Sequence, residues 1–294
     1  MVILYLYGKR QKNTEKRPAA AIYGKEEISV GYRTDLALER AGVKAQKEEI
    51  NGLQVSRMEE KGIRYITVEA PQITGTIDGD GKLRALLTQE LQDLLPEEGE
   101  VLVAGLGNPQ VTPDALGPFC ADRMLATRHV RGRVAMEVGL GGLRSVSVTK
   151  PGVLGTTGVE TAELLQALIR QLHPAAVVAV DAMAAGRLHR LGKTVQISDG
   201  GISPGAGVGN DRPSLCRETL GVPVIGLGVP TVVDAATLCS DLCAQEVEGA
   251  SRMMVTPREI DTLVVRAAHL LALALNCALN PSLEPEVYEQ LVAV

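Results

Sequence analysis

Residues 102–118 read LVAGLGNPQVTPDALGP: an apolar run, a Gly-x-Gly turn, then an acidic residue, Asp114, set between Pro113 and Pro118. A short run of Leu, Val and Ala closed by glycines is the pattern of a buried strand. The following TPDALGP opens a helix, with Thr112 expected as N-cap, Pro113 at the first helical position and Asp114 in the first turn. A second stretch, AVVAVDAMA at 176–184, has the same form, its apolar run ending on Asp181. A strand of Val and Ala has no structural need of a carboxylate at its end. Open α/β sheets form their sites at the carboxyl ends of strands, which singles out Asp114 and Asp181 as a candidate catalytic pair. Each also has a plainer reading as a helix-starting acid favoured by the helix dipole, as does Asp234 in GVPTVVDAAT.

Outward from these two stretches, short β-branched runs bounded by Gly or Pro predict strands over 64–69, 100–105, 133–138, 145–148, 176–181, 194–198 and 223–227. Helical patterns fall between them, over 82–95, 113–128, 159–172, 213–220 and 257–279. That alternation predicts an α/β fold, a mainly parallel central sheet sandwiched between helices in three layers. The front of the chain, to about residue 62, is polar with weak periodicity. Loose packing and a mobile extreme N-terminus are expected there.

Composition removes several function classes. At 294 residues and 45% hydrophobic content the chain can bury a large core. Its formal net charge of -5 supplies no positive field for a phosphate backbone, and with no Trp and one Phe it has few base-stacking platforms, so nucleic acid is not an expected ligand. The apolar start MVILYLY is too short to span a bilayer, and its basic residues follow the apolar run rather than precede it. No membrane association is expected. Five cysteines without C-x-x-C spacing read as reduced, mostly buried thiols of a cytoplasmic protein. Cys239 and Cys243 lie one helical turn apart, but no neighbouring His or Cys completes a metal set. His129, His173, His189 and His269 are scattered, as surface or capping histidines are. GLGNP lacks the third glycine of a dinucleotide motif, Gln110 standing in its place. SDGGISPGAGVGN at 198–210 has no P-loop lysine and reads as a shaped wall of the site.

Several longer strings occur in one order along the chain: GYRTDLALE (31–39), VLVAGLGNPQVTPDALGP (101–118), TRH (127–129), KPGVLGTTGVET (150–161), VVAVDAMA (177–184), QISDGGISPGAGVGN (196–210), TLGVPVIGLGVPTVVDA (219–235) and MMVTPREID (253–261). Together they resemble the germination protease family of spore-forming bacteria. The resemblance implies an atypical aspartic endopeptidase that degrades small acid-soluble spore proteins, with a fold similar to hydrogenase-maturation proteases. It implies Asp114 and Asp181 as the catalytic carboxylates, a homotetramer, and a cytoplasmic location in the spore core. No cofactor is expected, and no metal either, since no His or Cys ligand accompanies the two acids; the alternative is a metal held as in hydrogenase-maturation proteases, which bind one with acidic residues at similar positions and a His. The resemblance also implies a zymogen. The string TDLALE, residues 34–39, is similar to the family's cleavage sequence, which places self-processing between Asp35 and Leu36 and divides the chain into a propeptide-like segment, 1–35, and one peptidase domain, 36–294. A different resemblance, of GLGNP and TRH to peptidyl-tRNA hydrolase, would assign Asn108 and His129, but these stand 129 - 108 = 21 positions apart, farther than in that family. A non-catalytic α/β binding module with helix-capping acids is the third reading.

Overall fold

The computed structural model describes residues 34–40, 42, 44–73, 79–130, 136, 141–209, 212–243, 247, 249–250 and 253–292. The expected mobile N-terminus, and the expected strand at 133–138 apart from Met136, lie outside them. One compact unit spans 32–294.

Four parallel strands carry the centre: β4 (Val101–Leu106), β5 (Val146–Gly152), β6 (Ala176–Ala185) and β8 (Val224–Asp234), in the spatial order β5-β4-β6-β8. From β4 the chain passes to β5 on one side, then crosses to β6 on the other. The boundary between β4 and β6 is therefore a topological switch point, where the connections diverge and leave a crevice. Strand β7 (Thr194–Ser198) joins β8 antiparallel and continues the sheet through β3 (Ile63–Glu69), β2 (Leu53–Glu60) and β1 (Gln46–Ile50), while β9 (Met254–Val255) pairs with the end of β8.

Alternation along the strands divides the core in two. Val101, Val103, Val178 and Val180 face α1 (Lys82–Leu94), α2 (Leu116–Ala121) and the Ile260–Leu279 helix. Leu102, Ala104, Val177 and Ala179 face the Thr161–Leu172 helix. Helices on both faces of the sheet make the three expected layers.

Four expectations need correction. The front of the chain is not all loose, because β1 and β2 form a hairpin whose turn is Asn51-Gly52, both at positive φ (54° and 84°), and Lys61-Gly62 (54° and 78°) turns β2 into β3 in the same way. Two-residue turns with both centres at positive φ match the twist of paired strands, so Asn-Gly was the local signal for strands there. The helix expected over 113–128 is instead a 3-10 turn, Thr112–Asp114, with Val111 rather than Thr112 as N-cap, followed by the short α2. Buried Asn276 limits it: its amide donates to the Arg123 carbonyl and accepts from the Leu125 N–H, both at 3.0 Å, replacing helical partners. The 213–220 helix likewise reduces to Arg217–Leu220. The thiols are also less buried than expected, since only Cys120 and Cys277 are buried and Cys243 is exposed.

Glycine sets how closely α2 lies on the sheet. A Cβ on Gly117 would strike the backbone of Leu106 and the Val180 carbonyl oxygen, and a Cβ on Gly105 would strike the Gly117 carbonyl. Gly117→Ala would gain helix propensity of about 1 kcal/mol, but the clash is with backbone that cannot rotate away. The variant is expected to lose roughly 1–3 kcal/mol in urea unfolding. Unchanged stability would show that α2 can lift off the strands.

Candidate active site

Asp114 and Asp181 reach the same crevice by different routes. Asp114 ends the 3-10 turn and its Oδ2 accepts the Asn108 N–H at 2.8 Å, closing the loop after β4 onto itself. Gly107 permits this, since its φ is +111° and a Cβ there would strike the Asp114 carbonyl. Strand β8 fixes the turn from the other side. Its pairing with β6 steps from Met183↔Pro230 to Ala184↔Val232, leaving Thr231 as the extra residue, whose buried hydroxyl donates to the Pro113 carbonyl at 2.7 Å. The Asp114 carboxylate thus points back to its own loop instead of capping the helix ahead.

Asp181 is not at the end of its strand, as the sequence suggests, but in the middle of β6. Pairing with β4 stops at Gly105↔Val180, while pairing with β8 continues from Asp181↔Gly228 to Ala185↔Val233. Asp181 is the first residue of β6 past that last β4 pair, so one flank is open while its own strand holds it rigidly. It is 6% exposed, and Oδ1 accepts the Ala182 N–H at 2.9 Å.

Both carboxylates line a cleft of about 340 Å³, together with Asn108, Pro204, Gly205, Arg212 and Thr231. The glycine-rich loop is a wall of the site through Pro204 and Gly205, as its composition suggested. Arg212, missed in the sequence, lies just beyond that loop, and its charge opposes the rise that burial imposes on the Asp114 carboxyl, after the Asn108 N–H. Burial pushes Asp181 well above the ordinary carboxylate range, and the charges of Asp114 and then Asp35 push the same way. Asp234 takes the plain role, accepting the Ala236 N–H at 2.7 Å at the start of the Ala235–Cys243 helix. His129 is exposed and is not on the cleft lining, so Asn108 lacks the partner that a peptidyl-tRNA hydrolase reading requires. Among the described residues no group of three His, Cys, Asp or Glu is arranged to hold a metal ion.

Thr34–Glu39 lies along the far end of β6. The Asp35 N–H donates to the Ala184 carbonyl at 3.0 Å, and the Asp35 carboxylate accepts the Ala184 N–H at 2.7 Å and the Gly207 N–H at 2.8 Å. Leu36 is fully buried against Met183 and Ala185. Glu39 accepts the Gly186 N–H and pairs with Arg190 at 3.5 Å. Only Ala37–Glu39 is helical, a 3-10 turn with Leu36 as N-cap, so Asp35 serves β6 and the glycine-rich loop and not a helix start.

A family model described as germination protease matches residues 25–248 of the chain. The chain belongs to the germination protease family. The germination protease of Caldanaerobacter subterraneus subsp. tengcongensis is 37% identical over 90% of this chain and 99% of its own length. That of Clostridium perfringens is 36% identical over 85% and 96%, and that of Halalkalibacterium halodurans 45% over 68% and 55%. A [NiFe] hydrogenase maturation protease, HycI from Thermococcus kodakarensis, superimposes with a TM-score of 0.38 at 21% identity, over 63% of this chain and 98% of its own. That superposition is too loose to bear on the reaction. Membership makes the chain a peptidase, and Asp114 and Asp181 fall within the matched span.

A carboxyl whose folded pKa is raised stabilises the fold while it holds its proton, and that contribution is lost as pH rises through the folded value. Asp181→Asn cannot ionise. It is expected to melt above the wild type at mildly alkaline pH, with the difference shrinking in acid. A variant melting below the wild type in alkali would mean that the Asp181 charge is compensated by partners other than Ala182.

Proposed function

We propose that this chain is an aspartic-type endopeptidase of small acid-soluble spore proteins, acting in the cytoplasm of the spore core as a homotetramer and made as a zymogen. The observation that carries the catalytic part is the meeting of Asp114 and Asp181 in one cleft at the switch point of the sheet. Two carboxyls close enough to influence each other cannot both ionise easily, so the pair retains one proton. The proton belongs on Asp181, which is the more deeply buried and feels the Asp114 charge; Asp114, held by the Asn108 N–H, carries the charge. Ionised Asp114 then takes a proton from the attacking water, and protonated Asp181 gives one to the departing amide nitrogen. The substrate class, the tetramer and the location rest on the family resemblance.

Self-processing between Asp35 and Leu36 is supported by the seating of TDLALE on the same strand as Asp181, with Asp35 near enough to raise that carboxyl. A segment held there occupies substrate space and adds negative charge beside the pair. Both features favour a dormant precursor.

Asp114→Asn and Asp181→Asn are each expected to lower kcat on a spore acid-soluble protein by roughly a hundred- to ten-thousand-fold while the protein stays folded. Near wild-type turnover in either variant would end the paired-carboxylate reading. N-terminal sequencing of the active form should read Leu-Ala-Leu-Glu. Full activity from a chain still beginning at Met1 would rule out processing.

A further inference from the structure

Gln196 is a buried amide in β7, 4% exposed, with no role in the pair described above. Its side chain bridges one short piece of backbone from both ends. Nε2 donates to the carbonyl oxygen of Asp35 at 3.0 Å, and Oε1 accepts the N–H of Ala37 at 2.7 Å. The peptide bond between Asp35 and Leu36 lies inside that clamp.

Register places the clamp opposite Asp181. Gln196 pairs with Gly228 across β7 and β8, and Gly228 pairs with Asp181 across β8 and β6, so the three stand in one row perpendicular to the strands. Two strand spacings separate the outer members, roughly 10 Å between backbones. Gln196 lies between Val195 and Ile197, which face the α1 layer, and so projects to the opposite face; Asp181 shares the parity of Val177 and Ala179 on that same face. The middle member has no side chain, and a Cβ on it would strike the Asp181 carbonyl and the Met183 side chain. The tip of the Met183 side chain thus lies over Gly228, between an amide donor and a carboxylic acid, with its sulfur 3.8 Å from Gln196 Nε2. Leu36 packs on the same Met183 and on Ala185.

We propose that Gln196 is a catalytic residue of this peptidase, donating its Nε2–H to the carbonyl oxygen of the bond being cut. The proposal rests on the reading of Asp35–Leu36 as the processing site. When water adds to the Asp35 carbonyl carbon, its proton passes to the ionised carboxylate of the pair and the carbonyl oxygen becomes the oxyanion. The C–N bond then breaks as the protonated carboxyl donates to the Leu36 nitrogen, leaving a carboxylate on Asp35 and an amine on Leu36. Gln196 transfers no proton. Its amide dipole is already oriented toward the oxygen on which charge develops, in a site closed to water, where such a donor acts most strongly. An external substrate extended along β6 presents its scissile carbonyl to the same amide. The Oε1 bond to the residue two positions on keeps the donor from rotating away.

The test uses the full chain. Self-cleavage is followed by intact mass, and a synthetic peptide of residues 28–45 serves as external substrate. Gln196→Met keeps the volume and removes the donor, and is expected to lower both the self-cleavage rate and kcat on the peptide by about a hundredfold, with KM little changed. Gln196→Glu keeps the acceptor for Ala37 and regains a donor only when protonated, so its rate relative to the wild type should rise as pH falls. A purely structural clamp predicts otherwise: KM would rise with kcat preserved, and the Glu variant would show no such pH trend. Wild-type kcat in a folded Gln196→Met variant overturns the proposal. Failure of the underlying reading is separately visible, as cleavage at another bond or as activity retained in Asp114→Asn. Should Gln196→Met not fold, the pH trend of Gln196→Glu decides alone.

Discussion

The contact on which the site depends is backbone against backbone, where the start of α2 meets the end of β4 and the middle of β6. Gly105 and Gly117 face each other there, and each occupies space that a methyl group would fill. Close packing leaves little room for relaxation, so this approach fixes where the turn before α2 lies. Asp114 is the last residue of that turn. GLGNP therefore resembles a phosphate-binding motif for a shared geometric reason: glycines let a helix start close to a strand end. In this chain the space gained goes to a carboxylate.

Holding two acids in a crevice costs stability, and the surrounding structure is arranged to bear it. Asp181 sits in a ten-residue strand hydrogen-bonded on the β8 side throughout its second half, which keeps an unfavourable carboxyl from moving toward water. Asp114 is less enclosed and has an amide donor and the Arg212 charge to support ionisation. In the proposed mechanism these two environments make Asp181 the acid and Asp114 the base. Thr231 links this arrangement to the opposite strand through a bulge, so the position of Asp114 depends on β4, α2 and β8 together.

The segment around Asp35 lies along β6 beyond Asp181, on Ala184. Its carboxylate takes two backbone N–H groups that would otherwise meet solvent or substrate, and Gly207 can approach it only because it lacks a side chain. The glycine-rich loop thereby serves two purposes: Pro204 and Gly205 shape the cleft, and Gly207 receives the segment.

Much of this was legible in the residues. Period-two and period-3.6 patterning is local, and it yielded the central strands and the Thr161–Leu172 and Ile260–Leu279 helices, and the apolar runs drew attention to Asp114 and Asp181. The Asn51-Gly52 hairpin was equally legible from its turn chemistry, though its polar strands hid it from a reading of hydrophobic period. Other features have no local signal. That Asp181 lies within a strand follows from β8 outlasting β4 as its partner, which only pairing reveals. The early end of α2 follows from Asn276, more than 150 positions away, capturing its backbone groups. Gln196 reads in sequence as an ordinary polar residue of a short strand. Its place in a row with Gly228 and Asp181 arises from the register of three strands, which is set by where the whole sheet's apolar faces align and by no property of the residue itself.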